Sequence, residues 1–136
     1  MSSELRSCVF CTDLAAAGET VFENDVVWVL LHPDAAVAGH AMVVSKAHVE
    51  NASELPLDTW QRFTAVQHAA ERALLEVTGA DRAILLKLGI QTPHLHIHIY
   101  PVSRGATRED VMDAIDGQVK EERSSDLAAR LTRLMS

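Results

Sequence analysis

The chain has little of what marks a secreted or a membrane protein. It contains only two cysteines, which are too few for a disulfide scaffold. No apolar run approaches the ~20 residues that span a bilayer. The first eleven residues, MSSELRSCVFC, lack a basic patch followed by a continuous apolar segment and therefore do not fit a secretory signal. We expect a cytoplasmic protein without a membrane partner.

The chain also lacks an excess of positive charge. It has 12 Lys and Arg against 19 Asp and Glu, which gives a formal net charge of −7. Broad binding of nucleic acid needs a basic surface, so we expect no nucleic-acid partner. A small anionic ligand is compatible with this charge, because a few local donors hold one phosphate inside a pocket. The length of 136 residues predicts a single domain over 1–136.

The pattern of apolar residues predicts an α+β fold. Strands are predicted at 26–31, 41–45, 82–88 and 94–100, with a short further strand near 20–23. Apolar side chains at steps of three and four predict a long helix at 57–77, ended by Gly79. The expected architecture is an antiparallel sheet of about five strands packed on this helix. The core covers about 8–104, and helical patterning at 110–119 and 126–134 predicts a C-terminal extension at about 108–135.

Three of the seven histidines stand at alternate positions in the stretch TPHLHIHIYP: His94, His96 and His98. In a strand, residues two apart lie on the same face ~6.6 Å from each other. The alternation predicts that the three rings line one face and that the apolar residues between them are buried on the other. Such a row fits a solvent-facing polar surface, a three-histidine metal site, or a histidine nucleophile flanked by histidines that stabilise charge. Spacing alone does not separate the last two.

Three motifs together resemble the histidine triad (HIT) family in order, type and separation. They are Cys8-Val-Phe-Cys11, the Gly39-His40 pair that opens a strand within VAGHAMVVSKAH, and the triad HLHIHIY that begins at His94. The resemblance covers about 8–104. It implies an α+β fold, a homodimer, and a small-molecule nucleotide substrate that is cleaved at its α-phosphorus.

The resemblance also implies a role for each histidine of the site. His96, the middle triad residue, is the family nucleophile, and it forms a nucleotidyl-histidine that water then hydrolyses without a catalytic metal. The carbonyl of His94 orients its ring, while His98 and His40 match positions that contact phosphate oxygens. The predicted function is hydrolysis of a nucleoside phosphoramidate or a dinucleoside polyphosphate. A nucleotidyl transferase and a non-catalytic nucleotide-binding protein are the alternatives.

Some branches of the superfamily hold a structural zinc ion at positions that match Cys8, Cys11, His48 and His94. Two thiolates and two imidazoles suit tetrahedral Zn²⁺. The alternative is a pair of reduced buried thiols and a surface histidine. The resemblance therefore implies one structural Zn²⁺ as the cofactor.

Two positions depart from the family pattern near the substrate. The family commonly has Asp or Asn eight residues before the Gly-His histidine, where it binds the ribose, and here that position is His32. Histidine cannot form the bidentate pair of a carboxylate. The loop before the triad reads Gly89-Ile-Gln-Thr-Pro, so Gln91 is the predicted contact to the phosphate or the leaving group. His68, Lys46 and Arg104 receive no site role.

Overall fold

A five-stranded antiparallel sheet forms the centre of the structure, a computed structural model that describes residues 6–33, 37–117 and 126–136. Its strands are β1 (Glu19–Glu23), β2 (Val27–Leu31), β3 (Ala41–Ser45), β4 (Arg82–Leu86) and β5 (His96–Val102). They lie in the order β1-β2-β3-β5-β4, and every neighbouring pair is antiparallel. This sheet confirms the predicted α+β class.

The helices described are α1 (Val9–Thr12), α2 (Leu14–Ala17), α3 (Leu57–Thr78), α4 (Arg108–Ile115) and α5 (Leu127–Met135), with a 3₁₀ turn at Ala52–Glu54. The long helix α3 ends where Gly79 adopts a left-handed φ of 72° and its N–H donates to the Leu75 carbonyl at 3.0 Å. Glycine takes this conformation without a Cβ penalty, which is why the helix ends there. Within the three described ranges, no helix combines the length and apolar character that a membrane span needs.

One face of the sheet carries the main core. Helices α3 and α5 pack there, and Phe63, Leu74 and Leu131 are fully buried between the layers. The apolar residues of the histidine segment belong to this core, since Leu95 and Ile99 are buried in it and Ile97 packs against it. The alternation therefore directs the apolar side chains to the helix layer, as predicted.

The opposite face of the sheet is covered by smaller elements. The N-terminal helices α1 and α2 pack over β2 and β3 through a cluster that includes Phe10 and Cys8. Helix α4 packs near the other edge, where Ala114 meets Tyr100 of β5. Between these two clusters the central strands are open to a cavity.

Several element bounds differ from the prediction. Strand β2 begins at Val27 rather than 26, β4 ends at Leu86 rather than 88, and β5 ends at Val102 rather than 100. Strand β5 begins at His96 rather than 94, because Leu95 donates its N–H to the Val49 carbonyl, outside the ladder with β3. The short helices α1 and α2 have no counterpart in the prediction. Positions 118–119 of the predicted helix at 110–119 lie outside the described residues.

Candidate active site and metal centre

The three triad histidines lie on the sheet face opposite the main core, and each ring has different neighbours. His94 precedes β5 and is 1% exposed, while His96 is 7% exposed and His98 is half-buried. The interpretation as a solvent-facing polar surface is therefore wrong. In the described parts of the chain, His94 groups with cysteines, His98 groups with His40 and His32, and the triad itself forms no common cluster of metal ligands.

The His96 ring is held in one tautomer. Its Nδ1 lies 2.6 Å from the carbonyl oxygen of His94, so Nδ1 carries the proton and donates it. The lone pair is then on Nε2, and His96 lines the cavity. Phe10 packs against the ring with a centroid distance of 4.9 Å. Burial lowers the pKa of His96, although the bond to the His94 carbonyl opposes the shift. The ring is therefore neutral at neutral pH, as a nucleophile must be.

A second group of rings lies beside His96. His40 and His98 share a hydrogen bond of 2.9 Å between Nε2 and Nδ1. His32 stacks on His40 with nearly parallel planes, 7° apart, and a centroid distance of 4.4 Å. His32 and His40 adjoin because the His32 N–H donates to the His40 carbonyl and extends the β2–β3 ladder by one pair. Tyr100 covers the other side of His40 at 4.2 Å.

Burial keeps His40 and His98 uncharged. It lowers the pKa of His40 to about 2, with His32 and His98 adding smaller effects of the same sign. It also lowers the pKa of His98 to about 4, again helped by neighbouring imidazoles. Neutral imidazoles offer both a donor and a lone pair to a ligand. An anion that enters this group would favour protonation of the rings and reverse part of the shift.

The histidines form one wall of a cavity of about 620 Å³. The sheet forms one side of the cavity. There His98 lies opposite Met42 on β3 and opposite Leu86 on β4, and all three residues line the cavity. The predicted contacts His32 and Gln91 both line the cavity. The apolar part of its lining comes from α1, α2, the 88–90 loop and the end of α4: Val9, Phe10, Ala16, Ala17, Leu88, Ile90, Ala114 and Ile115. A cavity of this size and mixed lining suits a small organic ligand with one polar end.

The two cysteines meet two histidines at the far end of the triad. Cys8 Sγ lies 3.3 Å from Nδ1 of His94, and Cys11 Sγ lies 3.2 Å from Nδ1 of His48. The two Nδ1 atoms are 2.9 Å apart. All four donor atoms lie within 4.8 Å of one another. The cluster can therefore hold a metal ion.

Two features of this cluster fit a metal. The His94 Nε2–H donates to the Ser45 carbonyl at 2.6 Å, which leaves the Nδ1 lone pair directed at the thiols. Metal-bound histidines are typically fixed in this way by a second-shell acceptor. Burial and the adjacent Cys8 thiol raise the pKa of Cys11 to about 11. A bound divalent cation would lower this pKa, because it stabilises the thiolate forms of both cysteines.

Comparison with known proteins adds to this geometry. The family model for the HIT domain matches residues 13–105. The chain belongs to the HIT domain family. Solved structures of HIT proteins share its fold. A histidine triad protein from Sinorhizobium meliloti superposes with a TM-score of 0.72 at 20% identity, covering 88% of this chain and 91% of that chain.

Two further structures are similar to this HIT protein over most of both chains. One is described as a hypothetical histidine triad nucleotide-binding protein from Sulfolobus tokodaii, with a TM-score of 0.68, 22% identity, and 94% and 89% of the two chains covered. The other is a Zn-bound histidine triad family protein from Mycobacterium smegmatis, with a TM-score of 0.65, 24% identity, and 96% of each chain covered. At this identity the likeness shows the fold.

Some site residues of this HIT protein were not predicted. Phe10 packs against both His94 and His96, at centroid distances of 5.3 and 4.9 Å. Its position between the two cysteines is a usable signal, since a residue inside a chelating loop must lie near the metal. Tyr100 was signalled by its spacing of two from His98 on the same strand face. No side-chain pattern in the sequence indicates that the Ser45 carbonyl accepts a hydrogen bond from His94.

The three residues left without a role lie away from the cavity. His68 is exposed on α3. Lys46 pairs with Glu23. Arg104 is exposed and donates its backbone N–H to Asp81.

Proposed function

We propose that this HIT protein is a nucleotide hydrolase that cleaves at the α-phosphate through a covalent intermediate on His96. The observation that carries the proposal is the 2.6 Å hydrogen bond from His96 Nδ1 to the His94 carbonyl. It supports a single tautomer whose free nitrogen, Nε2, belongs to a ring that lines the cavity. The candidate substrates are nucleoside phosphoramidates and dinucleoside polyphosphates.

The first step forms the Nε2–phosphorus bond as the bond from phosphorus to the leaving group breaks. The leaving group keeps the bonding electron pair, and an amine takes up a proton from solvent as it departs. The proton on Nδ1 stays in place, so the modified ring carries a positive charge. The His94 carbonyl stabilises that charge through the existing hydrogen bond. Because the ring is already positioned and neutral, it needs neither a general base nor a catalytic metal.

The second step resolves the nucleotidyl-histidine. A water molecule attacks phosphorus, the nucleoside monophosphate leaves, and the neutral His96 ring returns while one proton is released to solvent. A nucleotidyl transferase differs only in using another acceptor at this point. Both alternatives share the first step.

The neighbouring residues have supporting roles in this proposal. His40 and His98 contact the non-bridging phosphate oxygens, which carry more charge in the transition state. His32 contacts the sugar with one hydrogen bond, and Gln91 contacts the phosphate or the leaving group. Histidine at position 32 favours a sugar that is held differently from an ordinary ribose. The loss of polar residues from the loop before the triad favours a leaving group that departs easily.

The Cys8, Cys11, His48 and His94 cluster holds a structural Zn²⁺ in this proposal. With bonds of ~2.3 Å to sulfur and ~2.0 Å to nitrogen, tetrahedral zinc places its sulfur and nitrogen ligands ~3.5 Å apart. The observed contacts of 3.2 to 3.5 Å support such a site. The ion would tie α1 to the segment before β5 and so hold the carbonyl that orients His96. Protein purified without added zinc should contain about one equivalent, and a content well below one would contradict this assignment.

The homodimer and the cytoplasmic location stay predictions. Strand β4 lies at an edge of the sheet, and Leu85 on it is 43% exposed. An apolar edge strand of this kind supports pairing with a second copy. Sedimentation at several concentrations would test the dimer, and a monomer at every concentration would contradict it.

Release of amine from an adenosine phosphoramidate tests the proposed function. Wild-type protein should turn over, and His96→Ala should lose activity while its circular dichroism stays unchanged. His68→Ala, an exposed change on α3, is the matched control and should keep full activity. Full turnover by His96→Ala would remove His96 as the nucleophile. Nucleotide binding without turnover by the wild type, on any of the candidate substrates, would favour the non-catalytic alternative.

A further inference from the structure

We propose that His32, His40 and His98 form a second metal site, separate from the cysteine cluster, that takes a late first-row divalent cation such as Zn²⁺ or Co²⁺. One ring nitrogen from each residue lies within 4.8 Å of the other two. None of the three belongs to the Cys8–Cys11 cluster. Imidazole is a good ligand for these ions.

The closest pair of nitrogens already approaches the required spacing. His40 Nε2 and His98 Nδ1 are 2.9 Å apart. With bonds of ~2.0–2.1 Å, a tetrahedral ion places two nitrogen ligands ~3.3 Å apart. The rings must therefore separate by a few tenths of an ångström. The proton now shared between them moves to the other nitrogen of its own ring, which leaves both lone pairs facing the ion and changes no net charge.

The third ligand requires a larger adjustment. His32 is stacked on His40 with parallel planes, so its in-plane lone pair does not yet point at the shared space. His32 is half-buried at the end of β2 and lines the cavity. Rotation of this one side chain completes a three-histidine set.

The site borders the cavity. His40 is buried and His98 is half-buried, and both rings line the cavity. Three histidine ligands leave the fourth tetrahedral position open. Because all three residues line the cavity, that position faces it and would hold water or an anion.

The site has a consequence for activity that rests on the proposed function. The ion would bind His40 and His98, the same two rings that contact the phosphate oxygens in that proposal. Metal beyond the structural equivalent should therefore inhibit hydrolysis. The test of the site itself uses no nucleotide, so that it stands or fails independently of the hydrolase proposal.

The test is titration with Co²⁺ of protein already loaded with one equivalent of Zn²⁺ and freed of excess. One further equivalent of cobalt should bind and give visible d–d absorption without the near-ultraviolet thiolate-to-cobalt band that cysteine ligands produce. His32→Asn should weaken this binding by ~tenfold or more, since even a lost second-shell partner reduces metal affinity by that much. His68→Asn is the matched control and should bind cobalt like the wild type.

A measurement on the wild type covers the case in which the variants fold poorly. In histidine-selective ¹H–¹⁵N spectra, cobalt should broaden the ring signals of His32, His40 and His98 and spare that of His68. Absence of cobalt bands, equal binding by His32→Asn, or a thiolate band that shows cobalt has only replaced the zinc would each overturn the proposal.

Discussion

Replacing Gly39 with alanine perturbs the loop that delivers His40 to the site. Gly39 has a φ of 82°, a left-handed conformation that side chains disfavour. A Cβ added there would lie 2.7 Å from the Thr78 Cγ2 methyl at the end of α3 and 3.3 Å from Cγ of Pro101. The first distance is shorter than carbon atoms tolerate, so either the helix end or the loop must move.

Two contributions set the expected cost. The left-handed backbone costs a residue with a Cβ ~1–2 kcal/mol, and overpacking in a closed region costs ~1–3 kcal/mol. Gly39→Ala should therefore lower the free energy of unfolding by ~2–5 kcal/mol. Gly79→Ala is the matched control, because Gly79 has a similar φ of 72° and nothing within 4 Å of the added Cβ. It should show the backbone cost alone, ~1–2 kcal/mol.

Thr78→Ser supplies the decisive comparison. It removes the Cγ2 methyl and keeps the hydroxyl that donates to the Leu74 carbonyl at 2.7 Å. In this background the cost of Gly39→Ala should fall towards that of Gly79→Ala. Urea unfolding with an unchanged m value measures the wild type, the three single variants and the double variant. Equal costs for Gly39→Ala in the two backgrounds would refute the steric reasoning.

Three other perturbations have calculable outcomes. The pKa of His98 falls from 6.5 when unfolded to about 4 when folded, so stability is complete above pH 6.5 and is lost as pH falls towards 4. Between pH 7 and pH 5 the protonation of His98 should lower the free energy of unfolding by ~2 kcal/mol. The His98→Asn protein should lack this loss, and an equal pH dependence of unfolding in the two proteins would contradict the prediction. Cys11→Ser should drop the metal content well below one equivalent and remove up to ~4 kcal/mol of stability in metal-rich buffer, measured by metal analysis and thermal unfolding. Phe10→Ala should lower the free energy of unfolding by ~3 kcal/mol. It should also lower kcat more than it changes KM, because the Phe10 ring packs on His96. An unchanged kcat would argue against a positioning role for Phe10.

The elements with strong periodicity were predictable from the sequence. Strand β3 has the predicted bounds, and α3 extends only one residue past the predicted 57–77. In both cases a regular apolar pattern ends at a residue that breaks it. The sheet order was not predictable, because β5 joins β3 and β4 through contacts far apart in the chain, and no local preference encodes that pairing.

The candidate site was predictable in its side chains and not in its backbone groups. The sequence motifs predicted the histidines and cysteines of the site. In the structure Cys8, Cys11, His48 and His94 lie together as one cluster. The acceptor that fixes the His94 tautomer is the main-chain carbonyl of Ser45, and every residue has a carbonyl, so the sequence holds no sign of it. The stacking of His32 on His40 likewise depends on the β2–β3 register, which sets two rings side by side.

Detection of the covalent intermediate on His96 is the sharpest test of the proposed mechanism. Wild-type protein would be mixed with an adenosine phosphoramidate, stopped under alkaline denaturing conditions that preserve phosphorus–nitrogen bonds, and digested for mass spectrometry. The account predicts an adenylyl group on His96 that appears during turnover and is absent from the His96→Ala protein. Turnover without any adduct on His96, or with the nucleotide on another residue, would contradict it.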